Sequence, residues 1–365
     1  MSESEIPSLL PEIDPNARRG RGATSNVAGR FEPYTSARVD DGWEAQDENP
    51  FKTEVFIDRS RRAITRNTSP DVPFDRSINP YKGCEHGCVY CFARPTHEYL
   101  GLSPGLDFET KLFAKPDVAA QLQKELRRPG YTPDVMAIGT NTDPYQPIEK
   151  QHALMRAVLE VLEAYKHPVS IVTKGGLVTR DTDILGRMGK RGLAQVAISI
   201  TTLDTKLSRR LEPRCAAPQV RFRAIKALSE AGVRTGVLIA PIIPALNDHE
   251  IEPILAAAKR AGASFAHFVP LRLPGAVAPL FRDWLKEHYP DRAHRVMRYV
   301  REIHGGKDYD PEWGKRMRGQ GVYANLIARR FKVASARVGL THRTYDLDCS
   351  QFAPPPRAGD QMQLL

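Results

Sequence analysis

The sequence lacks the features of a membrane protein or a secreted protein. No apolar run in its 365 residues approaches the roughly 18 that a membrane-spanning helix needs. The N-terminus has no continuous apolar region of the kind found in secretory signals. Only five cysteines are present, and three of them share one short loop, so they do not make a disulfide framework. Free thiols suit a reducing compartment, and the sequence therefore predicts a cytoplasmic protein without a membrane partner.

Negative charge is scarce relative to positive charge. Lysine and arginine number 53 against 43 aspartates and glutamates, which gives a net charge of +10. Residues 315–343 contain no Asp or Glu, but they contain the basic residues Lys315, Arg316, Arg318, Arg329, Arg330, Lys332, Arg337 and Arg343. A solvated helix face normally mixes both signs. The segment predicts either a surface that faces the phosphates of a nucleic acid or a merely basic exterior, and the sequence does not separate the two.

The three clustered thiols are Cys84, Cys88 and Cys91, with the spacing C-x3-C-x2-C. Four-iron clusters and structural zinc sites normally take four protein ligands. A loop that offers three sulfurs leaves one metal position open, and an open position is where a small molecule can bind and react. A closed zinc knuckle would need a fourth ligand nearby. His86 and His97 are the candidates, although a histidine between the first two thiols is an unusual zinc arrangement.

This spacing, with Tyr90 directly before the third cysteine, resembles the cluster loop of the radical S-adenosylmethionine (SAM) superfamily. The resemblance implies that Cys84, Cys88 and Cys91 bind a [4Fe–4S] cluster whose fourth iron is chelated by SAM. It also implies that one electron, from a flavodoxin- or ferredoxin-type reductant, cleaves SAM to methionine and a 5′-deoxyadenosyl radical. That radical abstracts hydrogen from a substrate. Tyr90 is then expected near the adenine ring.

Apolar runs alternate with amphipathic segments from about residue 75, and we count six strands. This alternation predicts βαβ units and a parallel sheet, in other words an α/β fold. Periodicity leaves an open sheet and a barrel as alternatives. The superfamily resemblance implies a partial (β/α)6 barrel, in which the cluster loop follows the first strand and active groups lie at the carboxyl ends of the strands.

The predicted organisation has four parts. Residues 1–50 form an N-terminal arm, either flexible or draped over the core, and residues 51–274 form the radical SAM core. A helical and basic region follows at 275–350, and a flexible tail at 351–365. Within the core, the first strand is predicted over 77–82. An insertion at 97–133 is predicted to hold an extended piece at 107–113 and a helix at 118–126.

Polar residues stand where the predicted strands end. The second strand runs into Thr140, Asn141, Thr142 and Asp143, which suit either a polar ligand or the cap of the next helix. The resemblance implies that this run receives the amino group of SAM. The other SAM contacts that it implies are Lys174 for the carboxylate, Ser199 and Thr201 for the ribose hydroxyls, and Ile243 for the adenine.

The Thr-Asn-Thr-Asp-Pro-Tyr run resembles the spore-photoproduct-lyase-like branch of the superfamily, also labelled DNA-repair-photolyase-like. True lyases place a hydrogen-donating cysteine in the loop after the second strand, whereas Thr140, Asn141 and Thr142 stand there in this chain. A hydroxyl is a much poorer hydrogen-atom donor than a thiol. We therefore do not expect this protein to repair spore photoproduct by that route, since Cys215 or Cys349 could replace the missing thiol only if the fold brought one of them near the substrate.

The remaining cysteines, Cys215 and Cys349, are expected to be ordinary thiols, because two scattered residues do not hold a second cluster. A second hypothesis is a non-catalytic nucleic-acid-binding protein in which the cysteine loop holds a structural metal. The two hypotheses differ in the metal that is bound and in SAM turnover. The substrate, and whether the reaction is of lyase or transferase type, have no signature in the sequence.

Overall fold

Two sheets organise the chain in a computed structural model, which describes residues 18–31, 51–342 and 347–356. In chain order the strands are β1 (Glu54–Ile57), β2 (Ile64–Arg66), β3 (Arg76–Ile78), β4 (Tyr81–Lys82), β5 (Lys111–Ala114), β6 (Met136–Ile138), β7 (Val169–Thr173), β8 (Ala194–Ser199), β9 (Arg234–Ile242) and β10 (Phe265–Pro270). The larger sheet has the order β10-β9-β8-β7-β6-β3-β2, and the smaller has the order β1-β5-β4.

Six strands of the larger sheet are parallel, namely β3, β6, β7, β8, β9 and β10. Strand β2 pairs antiparallel with β3 at one edge. The register places Met136 opposite Val169 and Gln195 opposite Arg234. The predicted α/β fold with six parallel strands is confirmed. Because the strands run the same way, the loops that follow them meet at one edge of the sheet.

The helices lie between and after the strands. They are α1 (Asp107–Thr110), α2 (Val118–Leu126), α3 (Glu149–His152), α4 (Leu154–Ala164), α5 (Thr182–Lys190), α6 (Thr205–Leu211), α7 (Pro218–Glu230), α8 (Ile251–Arg260), α9 (Val277–His288), α10 (Pro290–Ile303) and α11 (Gly321–Arg337), with 3₁₀ turns at Arg94–Leu100, Gly176–Asp181 and Asp248–Glu250. Within the described ranges, no helix has both the length and the apolar character needed to cross a membrane.

Helix α4 shows how the sequence produces these elements. Leu154, Val158, Leu159 and Leu162 recur at spacings of three and four, so they share one face, and all four are buried against the sheet. Helix α7 begins at a proline, whose fixed φ suits the first helical position. It is followed by Gly232 with φ +90°, a conformation that ends a helix readily only when the residue is glycine.

Two local predictions were wrong. The strand predicted over 77–82 is divided into β3 and β4, because Pro80 has no N–H to donate to a continuous ladder. The piece predicted as extended over 107–113 begins with the short helix α1 and becomes extended only at Lys111, where β5 starts. Strand β5 then pairs with β1 and β4, so the insertion builds its own small sheet beside the cysteine loop.

Candidate functional site

Three reduced thiols lie on one short loop that follows β4, which we call the cluster loop (residues 83–93). Cys84 and Cys88 are buried, Cys91 is partly buried, and none is in a disulfide. The loop turns through hydrogen bonds from Gly87 N to Cys84 O (3.3 Å) and from Cys91 N to Cys88 O (3.2 Å). The turns of the local backbone thus keep Cys84 and Cys88 away from bulk water and leave Cys91 partly accessible.

Two glycines allow the cluster loop to approach its neighbours closely. Gly83 and Gly87 have φ values of +73° and +67°, which residues with a side chain rarely adopt. A Cβ at Gly87 would lie 2.7 Å from a carboxylate oxygen of Glu109, and one at Gly83 would lie 2.6 Å from Leu112 Cδ2. The path of the loop is therefore fixed by its packing as well as by its hydrogen bonds.

A buried ion pair supports the cluster loop. Arg94 and Glu109 have side chains that are 0% exposed, and Nη2 of Arg94 lies 2.5 Å from Oε1 of Glu109. Nε of Arg94 donates to the backbone oxygen of Cys88 (3.0 Å), and the buried Gln146 accepts from the backbone N of Glu85 (2.8 Å). Because the buried charges are paired and hydrogen-bonded, they fix the loop without leaving an uncompensated group.

Residues 18–31, which we call the N-terminal segment, lie against the cluster loop. Glu109 accepts hydrogen bonds from Gly22 N (2.9 Å) and Ala23 N (2.8 Å). Arg21, which is 8% exposed, donates to the backbone oxygen of Glu109 (2.9 Å). The described part of the predicted N-terminal arm is therefore draped over the core and covers one side of the cluster loop.

We expect Gly22→Ala to displace the N-terminal segment. A Cβ at residue 22 would stand 1.8 Å from the backbone oxygen of Gly87, which no side-chain rotation can relieve. Loss of the two bonds to buried Glu109 should lower the free energy of unfolding by about 1–3 kcal/mol, measured by denaturant titration. The control is Arg19→Ala at an exposed position of the same segment. Equal losses in both variants would contradict the role given to close packing.

His86, inside the cluster loop, faces Asp143 in the loop after β6. His86 Nδ1 lies 3.3 Å from a carboxylate oxygen of Asp143. Asp143 also accepts from Thr173 Oγ1 (2.6 Å) and from Lys174 N (2.7 Å). Burial alone would raise the pKa of the Asp143 carboxyl, but the charge of His86 and these hydrogen bonds hold it below its ordinary value. Asp143 is thus an ionised bridge between three loops.

The rest of the run after β6 divides into accessible and structural positions. Thr140 and Asn141 are partly buried, and Asn141 N donates to Asn79 Oδ1 (3.3 Å). Thr142 is 2% exposed, and its hydroxyl donates to the backbone oxygen of Tyr81 (2.8 Å). That this run receives the amino group of SAM stays a prediction.

Glu212 is the centre of a buried polar network beyond the ends of β7 and β8. Its side chain is 0% exposed; Oε1 lies 3.0 Å from Lys174 Nζ and accepts from Thr201 Oγ1 (2.6 Å). It also accepts from the hydroxyl of Tyr90 and from the guanidinium of Arg221. Burial opposes ionisation of Glu212, yet the charges of Arg221 and Lys174 hold its pKa well below the ordinary value.

Lys174 joins several of the predicted SAM contacts to this network. Its Nζ donates to Ser199 Oγ (2.7 Å) and to the backbone oxygen of Ala240 (3.0 Å), and it lies 5.7 Å from the centre of the Tyr90 ring. Tyr90, Lys174, Ser199 and Thr201 are therefore brought together by the fold. Their roles toward SAM stay predictions.

Ile243, which is predicted to contact the adenine of SAM, is fully buried. Its side chain is 0% exposed and packs in an apolar cluster with Cys88 and Tyr90. Its backbone N donates to Asn247 Oδ1 (2.6 Å). Ile243 thus lies close to the cluster loop but contributes packing, and its contact with adenine also stays a prediction.

Cys215 lies beside the cluster loop, which sequence reasoning did not foresee. Its Sγ is 3.7 Å from Sγ of Cys88, although the two residues are 127 positions apart. The neighbouring Arg214 pairs with Glu85 of the same loop. Cys349, in contrast, lies near the backbone oxygen of Leu347. A fourth thiol, that of Cys215, therefore contacts one of the three thiols of the cluster loop.

Arg221 was also missed, although a signal for it exists. It stands on the same face of α7 as Ala224, Ile225 and Leu228, at spacings of three, four and seven residues, and all four are buried. An arginine on the apolar stripe of a helix indicates a buried ion pair, because an unpaired buried charge is too costly. The sequence did not indicate that Glu212 is its partner.

The basic residues predicted to form a phosphate-facing surface are only partly free. Lys315 pairs with Glu312, Arg316 with Asp71, and Arg330 with Glu252. Of the basic residues in this segment, Arg318, Arg329, Lys332 and Arg337 are exposed and make no ion pair with described residues. Arg343 lies outside the described residues. A basic stripe thus remains on and just before α11, smaller than the sequence suggested.

The donor set of the cluster loop fits the predicted iron–sulfur group. The loop carries three thiols that form no disulfide, and thiolate is the normal ligand of a [4Fe–4S] cluster. Each thiolate of such a cluster binds a different iron, so the sulfurs need to surround the group rather than meet at a point. In the described ranges, no three His, Cys, Asp or Glu side chains converge as ligands of one metal ion.

Comparisons with known proteins cover the same part of the chain. The family model described as the Radical SAM superfamily matches residues 78–258. An uncharacterized protein of Mycobacterium tuberculosis is 39% identical over 260 residues, which cover 71% of this chain and 75% of that protein. An uncharacterized protein of Methanocaldococcus jannaschii is 28% identical over 258 residues, which cover 69% of this chain and 92% of that protein.

Among solved structures, a spore photoproduct lyase complexed with dinucleoside spore photoproduct is similar, with a TM-score of 0.57. The two chains are 18% identical, and the match covers 78% of this chain and 80% of that chain. At this low sequence identity, the structural similarity shows a common fold alone. The matched family region begins at the end of β3 and includes the cluster loop, the Lys174 network and the helices through most of α8.

Proposed function

Because the chain belongs to the radical SAM superfamily, we propose that it is a radical SAM enzyme that abstracts hydrogen from a nucleic-acid substrate. The observation that carries the enzyme assignment is the cluster loop itself. Its three free thiols lie beside a polar network of strand-end side chains, in which Tyr90, Lys174, Ser199 and Thr201 are already joined. This combination provides metal ligands and polar groups for a cofactor at one edge of the sheet.

The residues have separable roles in this proposal. A bound [4Fe–4S] cluster would pass one electron, from a flavodoxin- or ferredoxin-type donor, to SAM and so yield methionine and a 5′-deoxyadenosyl radical. Cys84, Cys88 and Cys91 hold that cluster. The ammonium of Lys174 binds the SAM carboxylate, and its ion pair with Glu212 weakens when it does so. The requirement for free thiols and for an intracellular electron donor supports a cytoplasmic location of the enzyme.

Nucleic acid is the substrate class that charge and fold support together. Arg318, Arg329, Lys332 and Arg337 are exposed and make no ion pair with described residues, so they remain available to phosphates. One solved structure with a similar fold is of a spore photoproduct lyase complexed with dinucleoside spore photoproduct. A hydroxyl-lined loop after β6, without a thiol, supports a reaction other than the repair performed by that lyase.

Anaerobic reconstitution with iron and sulfide tests the enzyme assignment. We expect a broad charge-transfer absorbance near ~400 nm. We also expect 5′-deoxyadenosine after SAM and reductant are added, quantified by chromatography. A protein that binds four irons and sulfides but never yields 5′-deoxyadenosine would contradict the proposal. Zinc in place of iron under the same conditions would contradict it as well.

The second candidate, a non-catalytic nucleic-acid-binding protein with a structural metal, is favoured by one observation. Cys215 supplies a fourth thiol in contact with Cys88, which matches the number of ligands in a structural zinc site. In the described residues no three ligands converge on one point, so zinc would have to draw the four thiols together. This candidate predicts zinc in the isolated protein and salt-sensitive nucleic-acid binding without SAM turnover. Metal analysis of protein purified without added iron separates it from the enzyme.

A further inference from the structure

A partly buried arginine lies near two aromatic rings just beyond the end of β10. The guanidinium carbon of Arg272 is 4.9 Å from the centre of the Phe92 ring and 6.0 Å from that of the Tyr309 ring. Phe92 directly follows Cys91 in the cluster loop and is 44% exposed. A planar cation and an open aromatic ring therefore lie next to the cluster loop, at the edge of the sheet where the parallel strands end.

The hydrogen-bonding capacity of Arg272 is largely unused. Nη1 donates to Met317 Sδ (2.9 Å), a thioether that is a weak acceptor, and Nη2 reaches Tyr309 Oη only at 3.5 Å. Nε is buried and has no partner. The carboxylate of Asp71 interacts electrostatically with Arg272, but its hydrogen bonds are to Arg316 and to the backbone of residue 314.

The buried Nε of Arg272 is a donor without a partner, and such a group costs free energy. In the described part of the chain, Arg272 makes no ion pair and its side chain is partly exposed, so the guanidinium is available to an acceptor on a ligand. The exposed ring of Phe92 beside it offers stacking area at the same place. A simple anion would leave Phe92 uncovered, and an aliphatic substrate would leave the donors of Arg272 unmet.

A nucleobase satisfies both groups. Its face stacks on aromatic rings and guanidinium planes, and its edge carries acceptors that an arginine can bind with two N–H groups. Arg318, the exposed residue that follows Met317, lies next in the chain and can neutralise a neighbouring phosphate. Base and phosphate together describe a nucleotide unit of an unpaired strand, whose bases are not hidden by a partner strand.

We infer that Phe92, Arg272 and Tyr309 form a recognition site for an unpaired nucleobase of a nucleic-acid strand beside the cluster loop. The base stacks on Phe92, and Arg272 donates to its ring acceptors. The inference deepens the proposed function and rests on it, because a base held here lies next to the loop that is expected to carry the cofactor.

Strand binding by the reconstituted protein tests the site. Fluorescence anisotropy would be measured with labelled single-stranded DNA, single-stranded RNA of the same sequence, and a labelled mononucleotide. We expect Phe92→Leu and Arg272→Met each to raise the Kd for the bound strand about tenfold, as for loss of one stacked base, and Phe92→Trp to preserve it. Phe92→Leu should leave the dependence of Kd on salt unchanged, because it removes no phosphate contact.

The matched control is Arg187→Met on α5, which removes the same charge from a residue that pairs with Glu163. An equal loss in this control would overturn the site in favour of general electrostatics. Strand binding that is insensitive to Phe92→Leu and Arg272→Met would also overturn it, as would a mononucleotide bound as tightly as either strand. The DNA and RNA arms identify which strand supplies the base.

The same samples separate this inference from the proposed function. Cluster absorbance and the 5′-deoxyadenosine formed without added strand are measured for each variant, and Kd values are compared only between samples with equal cluster content. If SAM is turned over but strand binding does not depend on Phe92, the base site is refuted and the enzyme assignment stands. If strand binding depends on Phe92 but no 5′-deoxyadenosine forms, the enzyme assignment is refuted and the base site stands.

Discussion

Alanine at Cys84 or Cys91 should abolish cluster binding, whereas alanine at Cys88 should leave part of it. Loss of a residue outside the ligand set commonly lowers metal affinity about 10- to 100-fold, so loss of a ligand should cost at least about 100-fold. Cys88 differs from the other two because Sγ of Cys215 lies 3.7 Å from its own. A thiol at that distance can take over an iron after a small side-chain rotation. Bound iron, the absorbance near ~400 nm and 5′-deoxyadenosine are the three measurements.

The double variant Cys88→Ala with Cys215→Ala is the decisive comparison. It should lose the cluster as completely as Cys84→Ala, while Cys215→Ala alone keeps it. Cys349→Ala is the neutral control, because its thiol lies near the backbone oxygen of Leu347 and not at the loop. Full iron content in Cys84→Ala would refute the ligand assignment. Identical losses in Cys88→Ala and the double variant would refute the substitution by Cys215.

The cluster loop could be predicted from the sequence because its determinants are local. Cys84, Cys88 and Cys91 lie within one turn-rich segment, so their spacing alone describes a metal site. The parallel sheet was predictable for the same reason, since each strand and the helix after it have their own periodicity. The first strand was the exception, because one missing N–H at Pro80 decides where a ladder breaks.

Long-range pairings could not be predicted in the same way. Cys215 approaches Cys88 across 127 residues, and Lys174 meets Glu212 only because β7 and β8 are neighbours in the sheet. Each of these residues has an ordinary sequence context, so nothing local marks its partner. The ligands of the metal were therefore visible in the sequence, while the groups that tune and orient the site required the fold.

Glu212→Gln should be strongly destabilising although it lies outside the cluster loop. Glu212 has no exposed side-chain surface, and the facing Arg221 is 1% exposed. Removing one member of a buried pair leaves the other charge uncompensated, which typically costs about 3–5 kcal/mol of unfolding free energy. Arg221→Met in the Glu212→Gln background should recover part of the loss, because the stranded charge disappears. The exposed Glu160→Gln on α4 should change stability by less than about 0.5 kcal/mol.

The same carboxylate makes a pH prediction with a definite sign. Burial disfavours the ionised form of Glu212, but Arg221 and Lys174 more than offset this and lower its pKa in the folded protein. In the unfolded chain a glutamate titrates near about 4.3. Its contribution is therefore fully present above that pH and is lost as the pH falls from there toward the lower folded value. The difference in unfolding free energy between the unsubstituted protein and Glu212→Gln should be constant from pH 7 to pH 6 and shrink below about pH 4.3. A difference that grows on acidification would mean that Glu212 is protonated in the folded protein, and that Arg221 and Lys174 do not stabilise it as an anion.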